Sequence, residues 1–179
     1  MNRESKQKIR HEVKSKVKAI SAEQKQPRSA LIFSRIASLS AVQEAKTIAL
    51  YAALPDEPQT AAFIEQLSLT RRIVLPRVEG DDMEFYPYDA EHIERGAFGI
   101  AEPQGGEATE PAEIEVMVVP GVAFTREGKR LGRGKGYYDR YLSREGFRAT
   151  TIGVCYTEQL VEEIPDEPHD IDMDVVIFG

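Results

Sequence analysis

The stretch VMVVPGVAFTREGKRLGRGKGYYDRYL, residues 116–142, joins an apolar run to a helical pattern through a segment rich in glycine and cations. The run 116–119 is apolar at every position, which predicts a buried strand. Tyr138, Tyr141 and Leu142 have the i, i+3, i+4 spacing of one helix face, so we predict a helix from residue 137 onward. The glycines therefore lie between a strand and a helix, an arrangement typical of α/β folds.

This segment has the chemistry of an anion-binding site. Glycine lets backbone N–H groups approach a ligand closely, and the start of a helix favours negative charge. Arg133 and Lys135 add side-chain positive charge among Gly132, Gly134 and Gly136. The P-loop motif is excluded because glycine follows Lys135, and the glycine spacing does not match the dinucleotide fingerprint. A surface connector with solvated charges is the alternative that the pattern leaves open.

Length and composition place the chain among ordinary globular proteins. It has 179 residues, 41% hydrophobic and 30% charged, and we expect a single domain over residues 1–179. No apolar run approaches the ~20 residues that span a membrane, and the charged N-terminus lacks the apolar stretch of a signal peptide. The single Cys155 cannot form an internal disulfide. We therefore expect a cytoplasmic protein with no membrane partner. We also expect it to be a monomer.

Charge is distributed unevenly along the chain. Residues 1–28 contain nine Lys or Arg against three acidic residues, and residues 126–148 contain eight against three. Residues 79–115 contain twelve acidic residues and one arginine, and they would repel a long phosphate backbone. We therefore expect no nucleic-acid partner. A small phosphorylated ligand between the two basic segments fits better, and solvated helix faces are the alternative.

Hydrophobic periodicity predicts alternating helices and strands, and hence an α/β sheet with parallel portions. The predicted helices are 3–20, 21–39 and 60–69, and the predicted strands are 48–54, 73–78, 83–88, 116–119, 150–156 and 175–178. Pro27 predicts a late start or a kink in the second helix, and Pro76 predicts an edge strand or a strand end. Residues 89–115 are expected to be irregular. Ligands of such sheets bind at the carboxyl ends of strands, so 55–57, 76–77, 120–124 and Tyr156 are expected to line one crevice.

The whole segment 120–142 resembles the signature of the 5-formyltetrahydrofolate cyclo-ligases, and weaker similarity extends from Lys6 to Asp174. Two positions depart from the family pattern: Thr125 and Glu115 stand where the family typically has aspartate. The resemblance implies a three-layer α/β/α domain with a mostly parallel sheet, similar to the sugar-phosphate isomerase and CoA transferase folds. It also implies ATP-dependent conversion of 5-formyltetrahydrofolate to 5,10-methenyltetrahydrofolate, with Mg²⁺ as cofactor and with folate and ATP as ligands.

The resemblance implies two cationic groups that bind the nucleotide. On the first helix, Lys6 and Arg10 match a family pair that contacts ATP phosphates, although a solvated pair is the simpler alternative. In the glycine-rich segment, Lys135 and Arg133 are expected to be catalytic. The full nucleotide-binding set in this segment is Arg130, Gly132, Arg133, Gly134, Lys135, Gly136, Tyr137 and Tyr138.

The resemblance also implies folate and metal ligands. Glu57 matches a family glutamate that contacts folate, and a carboxylate is suited to the N–H groups of a pterin ring. The expected folate pocket consists of Glu57, Arg77, Met83, Phe98 and Tyr138, with segment 96–103 as part of its wall. Asp139 and Asp170 are expected to bind Mg²⁺, which prefers carboxylates, water and phosphate oxygens. Apolar members of this set fit a protein core equally well.

A second function class shares the same glycine-rich segment. A non-catalytic or sugar-phosphate-binding α/β module would also use a cationic glycine loop, and fold alone does not decide between the two. Glu57, Met83 and Asp170 favour the cyclo-ligase, because a simple phosphate-binding module has no need of them.

Overall fold

A six-stranded sheet is the centre of the computed structural model, which describes residues 2–91, 93–95 and 101–179. The strands in chain order are β1 (Thr47–Ala49), β2 (Arg72–Glu79), β3 (Asp82–Pro87), β4 (Ile93–Arg95), β5 (Ala101–Pro103), β6 (Val116–Val119), β7 (Ala123–Phe124), β8 (Arg130–Leu131), β9 (Thr150–Cys155) and β10 (Val175–Phe178). The spatial order of the main sheet is β10-β9-β6-β1-β2-β3. All neighbours pair in parallel except β2 and β3, so the sheet is mostly parallel with one antiparallel edge strand.

Helices cover both faces of this sheet. The helices are α1 (Asn2–Lys18), α2 (Ala22–Ala37), α3 (Ser40–Glu44), α4 (Ala61–Ser68) and α5 (Tyr137–Leu142). Strand β6 is buried throughout: Val116 and Val118 pack in the core cluster of α1 to α4, whereas Met117 and Val119 pack with α5. Alternate residues of a strand point to opposite faces, so a continuous apolar run is what a sheet covered on both sides requires. The predicted α/β class with a mostly parallel sheet is confirmed.

The start of α2 is fixed by side-chain capping. The Ser21 hydroxyl accepts a hydrogen bond from the Gln24 backbone at 3.2 Å, and the Gln24 side chain accepts one from the Ser21 backbone. The helix begins at this capping box and continues through Pro27, so the expected late start is wrong. Two satisfied N-terminal donors hold the first turn, which stabilises the helix start ahead of the proline.

The first strand is shorter than predicted, and this explains the position of Pro76. Pairing between β1 and β2 ends at Ala49 with Val74, although Leu50 still donates a backbone hydrogen bond to Val74 at 3.0 Å. Pro76 therefore has a strand neighbour on one side only, in β3. This is the local condition of an edge strand, where a missing N–H is tolerated. Strand β2 itself is internal to the sheet, and β3 is its edge.

Short elements escaped prediction. Residues 89–115 contain the two strands of the β4–β5 hairpin and a 3-10 turn at Pro111–Glu113, and the glycine-rich segment contains the β7–β8 hairpin. Strands of two or three residues are too short to show periodicity. Among the described helices, none has both the length and the apolar character that a membrane crossing requires.

Candidate active site

A cavity of about 780 Å³ opens beside the carboxyl ends of the parallel strands. Leu54 and Glu57 reach it from the loop after β1, and Pro120 and Gly121 reach it directly after β6. Ligand sites of open α/β sheets lie at this position, because successive loops converge there. Tyr156 does not line the cavity; it is fully buried behind the loop that carries Glu57.

Most of the residues predicted for the site line this one cavity. They are Lys6, Arg10, Glu57, Met83, Arg130, Gly132, Arg133, Gly134, Lys135, Gly136, Tyr137, Tyr138, Asp139 and Asp170. Sequence positions as distant as 6 and 170 therefore meet in space.

Two predicted folate residues are not placed with the others. Arg77 does not line the cavity, although its neighbours Pro76 and Val78 do. Side chains alternate along a strand, so Arg77 lies on the other face of β2, where its guanidinium contacts Glu79 and stacks on a tyrosine ring. Phe98 lies outside the described residues.

The glycine loop, defined here as residues 132–136, has a backbone that only glycine adopts readily. Gly134 and Gly136 have φ values of +106° and +73°. A side chain at Gly136 would also meet the Arg140 guanidinium at 2.7 Å. Arg10 of α1 holds the start of this loop, because its Nε donates to the Gly132 carbonyl at 2.8 Å. Burial lowers the pKa of Arg10, and the nearby Glu167 carboxylate partly opposes this shift.

Lys6 is not a solvated helix cation. Only 8% of the residue is exposed, and its ammonium group lies 3.0 Å from an Asp170 carboxylate oxygen and 3.4 Å from Glu167. Asp170 also accepts a hydrogen bond from the Glu167 backbone at 3.0 Å. An amphipathic helix with lysine on its cavity-facing side therefore places a cation among carboxylates at the cavity wall.

Glu57 is a buried carboxylate that also lines the cavity. It is 5% exposed, and one oxygen accepts a hydrogen bond from the Leu54 backbone at 2.9 Å. Burial is the main influence and raises the pKa of Glu57, while the Leu54 N–H and the Arg133 guanidinium oppose the shift. Tyr156 donates from its hydroxyl to the Glu57 backbone carbonyl at 3.1 Å, which fixes the loop from behind.

Arg133 connects the glycine loop to the loop that carries Glu57. Its Nη2 donates to Asp56 at 2.7 Å and lies 3.5 Å from the second carboxylate oxygen of Glu57. Lys135, two residues further on, is exposed and lines the cavity. Its ammonium group makes no hydrogen bond or ion pair with any part of the chain that the structure describes. The loop thus offers one bound cation and one available cation.

Arg130 places a third cation in the wall. Its Nε donates to the Pro120 carbonyl at 2.8 Å, and its guanidinium lies over the Tyr138 ring at 5.1 Å. Burial lowers the pKa of Arg130, whereas burial and the Glu57 charge raise the pKa of Tyr138. The side chain also fills the space beside Gly132, where an added Cβ would lie 3.0 Å from a guanidinium nitrogen.

The two predicted metal ligands both line the cavity, but they have different partners. Asp139 accepts a hydrogen bond from the Ile171 backbone at 3.3 Å. Asp170 joins Glu167 and His169 in a cluster whose candidate ligand atoms lie within 4.8 Å of one another. Sequence reasoning missed Glu167 and His169 because the histidines show no metal-ligand spacing.

Glu102 is a cavity residue whose role was not predicted. It lies within the segment that was expected to form a substrate wall, and it is buried. One carboxylate oxygen accepts a hydrogen bond from the Val78 backbone at 2.9 Å, which ties β5 to β2. Further lining residues outside the predicted set are Arg3, Gln7, Tyr51, Ala52, Leu54, Val78 and Leu131, while Pro76 lines the cavity as expected.

Comparison with known proteins identifies the family to which the chain belongs. A model described as the 5-formyltetrahydrofolate cyclo-ligase family matches residues 2–179. The chain belongs to this family. A mouse 5-formyltetrahydrofolate cyclo-ligase is 27% identical to this chain, over an alignment that spans 95% of this chain and 91% of the mouse protein. The match confirms the resemblance that was inferred from residues 120–142. The named relatives are enzymes, which places this chain in an enzyme family.

Solved structures of cyclo-ligase relatives share the fold. The NMR structure of 5,10-methenyltetrahydrofolate synthetase from Aquifex aeolicus matches with a TM-score of 0.88 at 35% identity, over 97% of this chain and 89% of that one. A synthetase of the same name from Mycoplasma pneumoniae matches with a TM-score of 0.78 at 30% identity, over 96% and 97%.

The two departures from the cyclo-ligase pattern have local structural explanations. Thr125 is buried, and its hydroxyl accepts a hydrogen bond from the Lys129 backbone at 3.0 Å, closing the turn between β7 and β8. Glu115 accepts a hydrogen bond from the Lys46 backbone ahead of β1. Oxygen acceptors remain at both positions, and neither residue lines the cavity.

Proposed function

We propose that this protein converts 5-formyltetrahydrofolate to 5,10-methenyltetrahydrofolate, using ATP and releasing ADP and phosphate. We treat residues 1–179 as a single cyclo-ligase domain. Membership in the family and the two structural relatives support this activity.

The observation that carries the proposal is the position of Arg133. It belongs to the cationic glycine loop, yet it lies 3.5 Å from the buried Glu57 carboxylate. A phosphate-binding loop and a carboxylate suited to pterin N–H donors therefore meet in one cavity. Bringing two substrates together in this way is the main requirement of a phosphoryl transfer between them.

The chemistry needs an activated formyl oxygen, because an amide oxygen is a poor leaving group. The formyl oxygen attacks the γ-phosphorus of ATP, and ADP departs. N10 of the folate then attacks the activated carbon and loses its proton. The bond between that carbon and the formyl oxygen breaks, and inorganic phosphate leaves with the oxygen.

Side-chain cations supply most of what this transfer requires. Negative charge accumulates on the transferring phosphoryl group, so preorganised cations and N–H donors lower the barrier. Lys135 is suited to this role because it lines the cavity as an available cation. Arg133 adds charge from the same loop and Arg130 from β8, and Lys6 and Arg10 add charge from α1. In the proposal the nucleotide lies along this cationic wall, including Gly132, Gly134, Gly136, Tyr137 and Tyr138.

A second group of lining residues is suited to the folate. Glu57 presents a buried carboxylate, Met83 contributes an apolar surface, and Tyr138 also lines the cavity. Apolar side chains beside a few placed polar groups are typical of small-molecule pockets.

The acidic residues of the cavity fit a magnesium ion. Asp139 and Asp170 both line the cavity, and carboxylate oxygens are the protein ligands that Mg²⁺ prefers. We propose that these two residues hold it. Bound there, Mg²⁺ would neutralise phosphate charge.

One assay tests the proposal against a non-catalytic phosphate-binding module. The purified chain is incubated with 5-formyltetrahydrofolate, ATP and Mg²⁺, and the absorbance of methenyltetrahydrofolate is recorded. We expect product to form, and to stop forming when ATP is omitted or EDTA is added. Binding of a sugar phosphate without methenyl product would instead support the simple phosphate-binding module.

A further inference from the structure

Asp56 is nearer to the Arg133 guanidinium than Glu57 is, yet Asp56 does not line the cavity. The Arg133 guanidinium donates to Asp56 at 2.7 Å, compared with 3.5 Å to Glu57. The side chains of Arg133 and Asp56 are about one third exposed, at 34% and 37%. Asp56 therefore binds a cavity-lining arginine although Asp56 itself does not line the cavity.

The loop that carries Asp56 is held in place by its own hydrogen bonds. Asp56 lies between Pro55 and Glu57. The Glu57 backbone donates to Leu54 at 3.0 Å, and the Gln59 side chain donates to the carbonyls of Leu54 and Glu57 at 3.0 and 2.7 Å. Proline further restricts the backbone of this loop.

The glycine loop is tied on both sides of Arg133. Arg10 donates to the Gly132 carbonyl at 2.8 Å, and Arg140 donates to the Lys135 carbonyl at 2.8 Å. With both backbones held, the long Arg133 side chain is the part of this contact that can exchange one anion for another.

We propose that Asp56 is a positioning residue that holds the Arg133 guanidinium toward the Glu57 wall until nucleotide phosphate displaces it. This inference rests on the proposed function, because it requires a nucleotide in the cavity. Asp56 and the phosphates compete for the Arg133 guanidinium, because the Nη2 donor that lies 2.7 Å from Asp56 is not available to a phosphate oxygen at the same time. Asp56 thereby weakens nucleotide binding to the folate-free protein.

The size of the effect follows from the exposure of the pair. Exposed ion pairs contribute modestly, so removing the Asp56 charge is expected to tighten nucleotide binding by about two- to fivefold. Asp56→Asn keeps the size of the side chain and removes the charge. Removing any nearby negative charge would also favour an anion through space, so the contact has to be separated from this general effect.

A double-mutant cycle makes that separation. The variants are the parent chain, Asp56→Asn, Arg133→Met and the double variant, and the probe is the nonhydrolysable analogue AMP-PNP with Mg²⁺, titrated calorimetrically without folate. If the contact acts, Asp56→Asn tightens binding in the parent but changes it by less than about 1.5-fold in Arg133→Met, because the cycle isolates the pairwise interaction. Melting temperatures of all four chains establish that the variants fold.

The outcomes are distinct. Equal tightening in both backgrounds would show a through-space effect and overturn the positioning role, as would no change in either background. A parent chain that binds no AMP-PNP contradicts the proposed function and the competition together. A parent that binds, with no response to Asp56→Asn, overturns the competition alone.

Discussion

The Lys6 ammonium nitrogen lies 3.0 Å from an Asp170 carboxylate oxygen, joining the start of the chain to its last acidic loop. Both side chains are largely buried, at 10% and 14% exposed. Lys6 is proposed to bind nucleotide phosphate and Asp170 to bind Mg²⁺. The two charges neutralise each other, and the pair ties α1 to the loop that carries Asp170.

Removing the Lys6 charge is therefore expected to affect both stability and activity. Lys6→Met keeps most of the aliphatic stem but leaves two carboxylates without their cation. Breaking a buried ion pair is costly; with partial solvent access we expect about 1–3 kcal/mol, or a melting temperature lower by roughly 3–10 °C. The Michaelis constant for ATP should also rise.

Lys8→Met is the matched control, because Lys8 is on the same helix but its side chain is 78% exposed. Its one ion pair, with Glu12, is exposed and long, at 4.0 Å. Its melting temperature should stay within about 2 °C of the parent chain, since exposed substitutions rarely exceed ~0.5 kcal/mol. Equal effects of the two substitutions on melting temperature would contradict a structural role for the Lys6–Asp170 pair.

Glu57 links function to pH-dependent stability. Burial raises the pKa of Glu57 in the folded protein above its ordinary value near 4.5. The stability that the protonated form contributes is therefore present below the unfolded pKa and lost as pH rises through the folded pKa. Glu57→Gln should raise the melting temperature at neutral pH, by about 2–4 °C for each kcal/mol gained. The difference in melting temperature between variant and parent should vanish below about pH 4.5. At neutral pH the Glu57→Gln variant should also lose folate binding.

Glu158 is the control for Glu57, because its pKa is shifted in the opposite direction. Burial acts to raise the pKa of Glu158, but the hydrogen bond to Arg28, a backbone N–H donor and the Arg28 charge together outweigh it, so the pKa is lowered. The stability from ionised Glu158 is present above the unfolded pKa and lost as pH falls through the folded pKa. Glu158→Gln should thus lower the melting temperature at neutral pH and leave folate binding intact. A Glu57→Gln protein that melts lower than the parent at pH 7 would refute the burial argument.

Lys135 is expected to act on the transition state rather than on nucleotide binding. Removing one preorganised donor to developing charge typically lowers turnover about 10²–10³-fold. Lys135→Met should show this loss in kcat, with a much smaller change in the Michaelis constant for ATP. Lys135→Arg should restore activity only in part, since a planar fork does not replace a compact ammonium group.

Lys129→Met is the control for this substitution. Lys129 lies in the same glycine-rich segment but pairs with Asp166 and Asp172 outside the cavity. Its turnover should remain within about twofold of the parent. If Lys135→Met instead raised only the Michaelis constant for ATP, Lys135 would be a ground-state ligand, and Arg133 would be the better candidate for the catalytic cation.

The sequence was most informative where burial imposes a pattern. The apolar run 116–119 predicted its strand to the residue, because a strand covered on both faces has only apolar positions. The glycine loop was likewise predictable, since Gly134 and Gly136 adopt backbone angles that other residues avoid. The crevice expected at the strand ends was right only in part: Glu57, Pro76, Pro120 and Gly121 line the cavity, whereas Pro55, Asp56, Arg77, residues 122–124 and Tyr156 do not.

Contacts between distant residues were not predictable in the same way. Lys6 reads in the sequence as a surface lysine, and only the fold brings it to Asp170. Arg77 illustrates the opposite error: the family resemblance and its place near the end of a predicted strand put it in the folate pocket, but strand alternation turns it away from the cavity. Asp56 showed no signal of its own, because its role depends on the reach of an arginine 77 residues further along the chain.

The most direct test of the central claim follows the formyl oxygen. The protein is incubated with Mg²⁺, ATP and 5-formyltetrahydrofolate labelled with ¹⁸O in the formyl group, and the inorganic phosphate is analysed by mass spectrometry. If the formyl oxygen is phosphorylated before N10 closes the ring, each phosphate released with methenyl product carries one ¹⁸O. Methenyl product accompanied by unlabelled phosphate, with the label in water, would contradict this account.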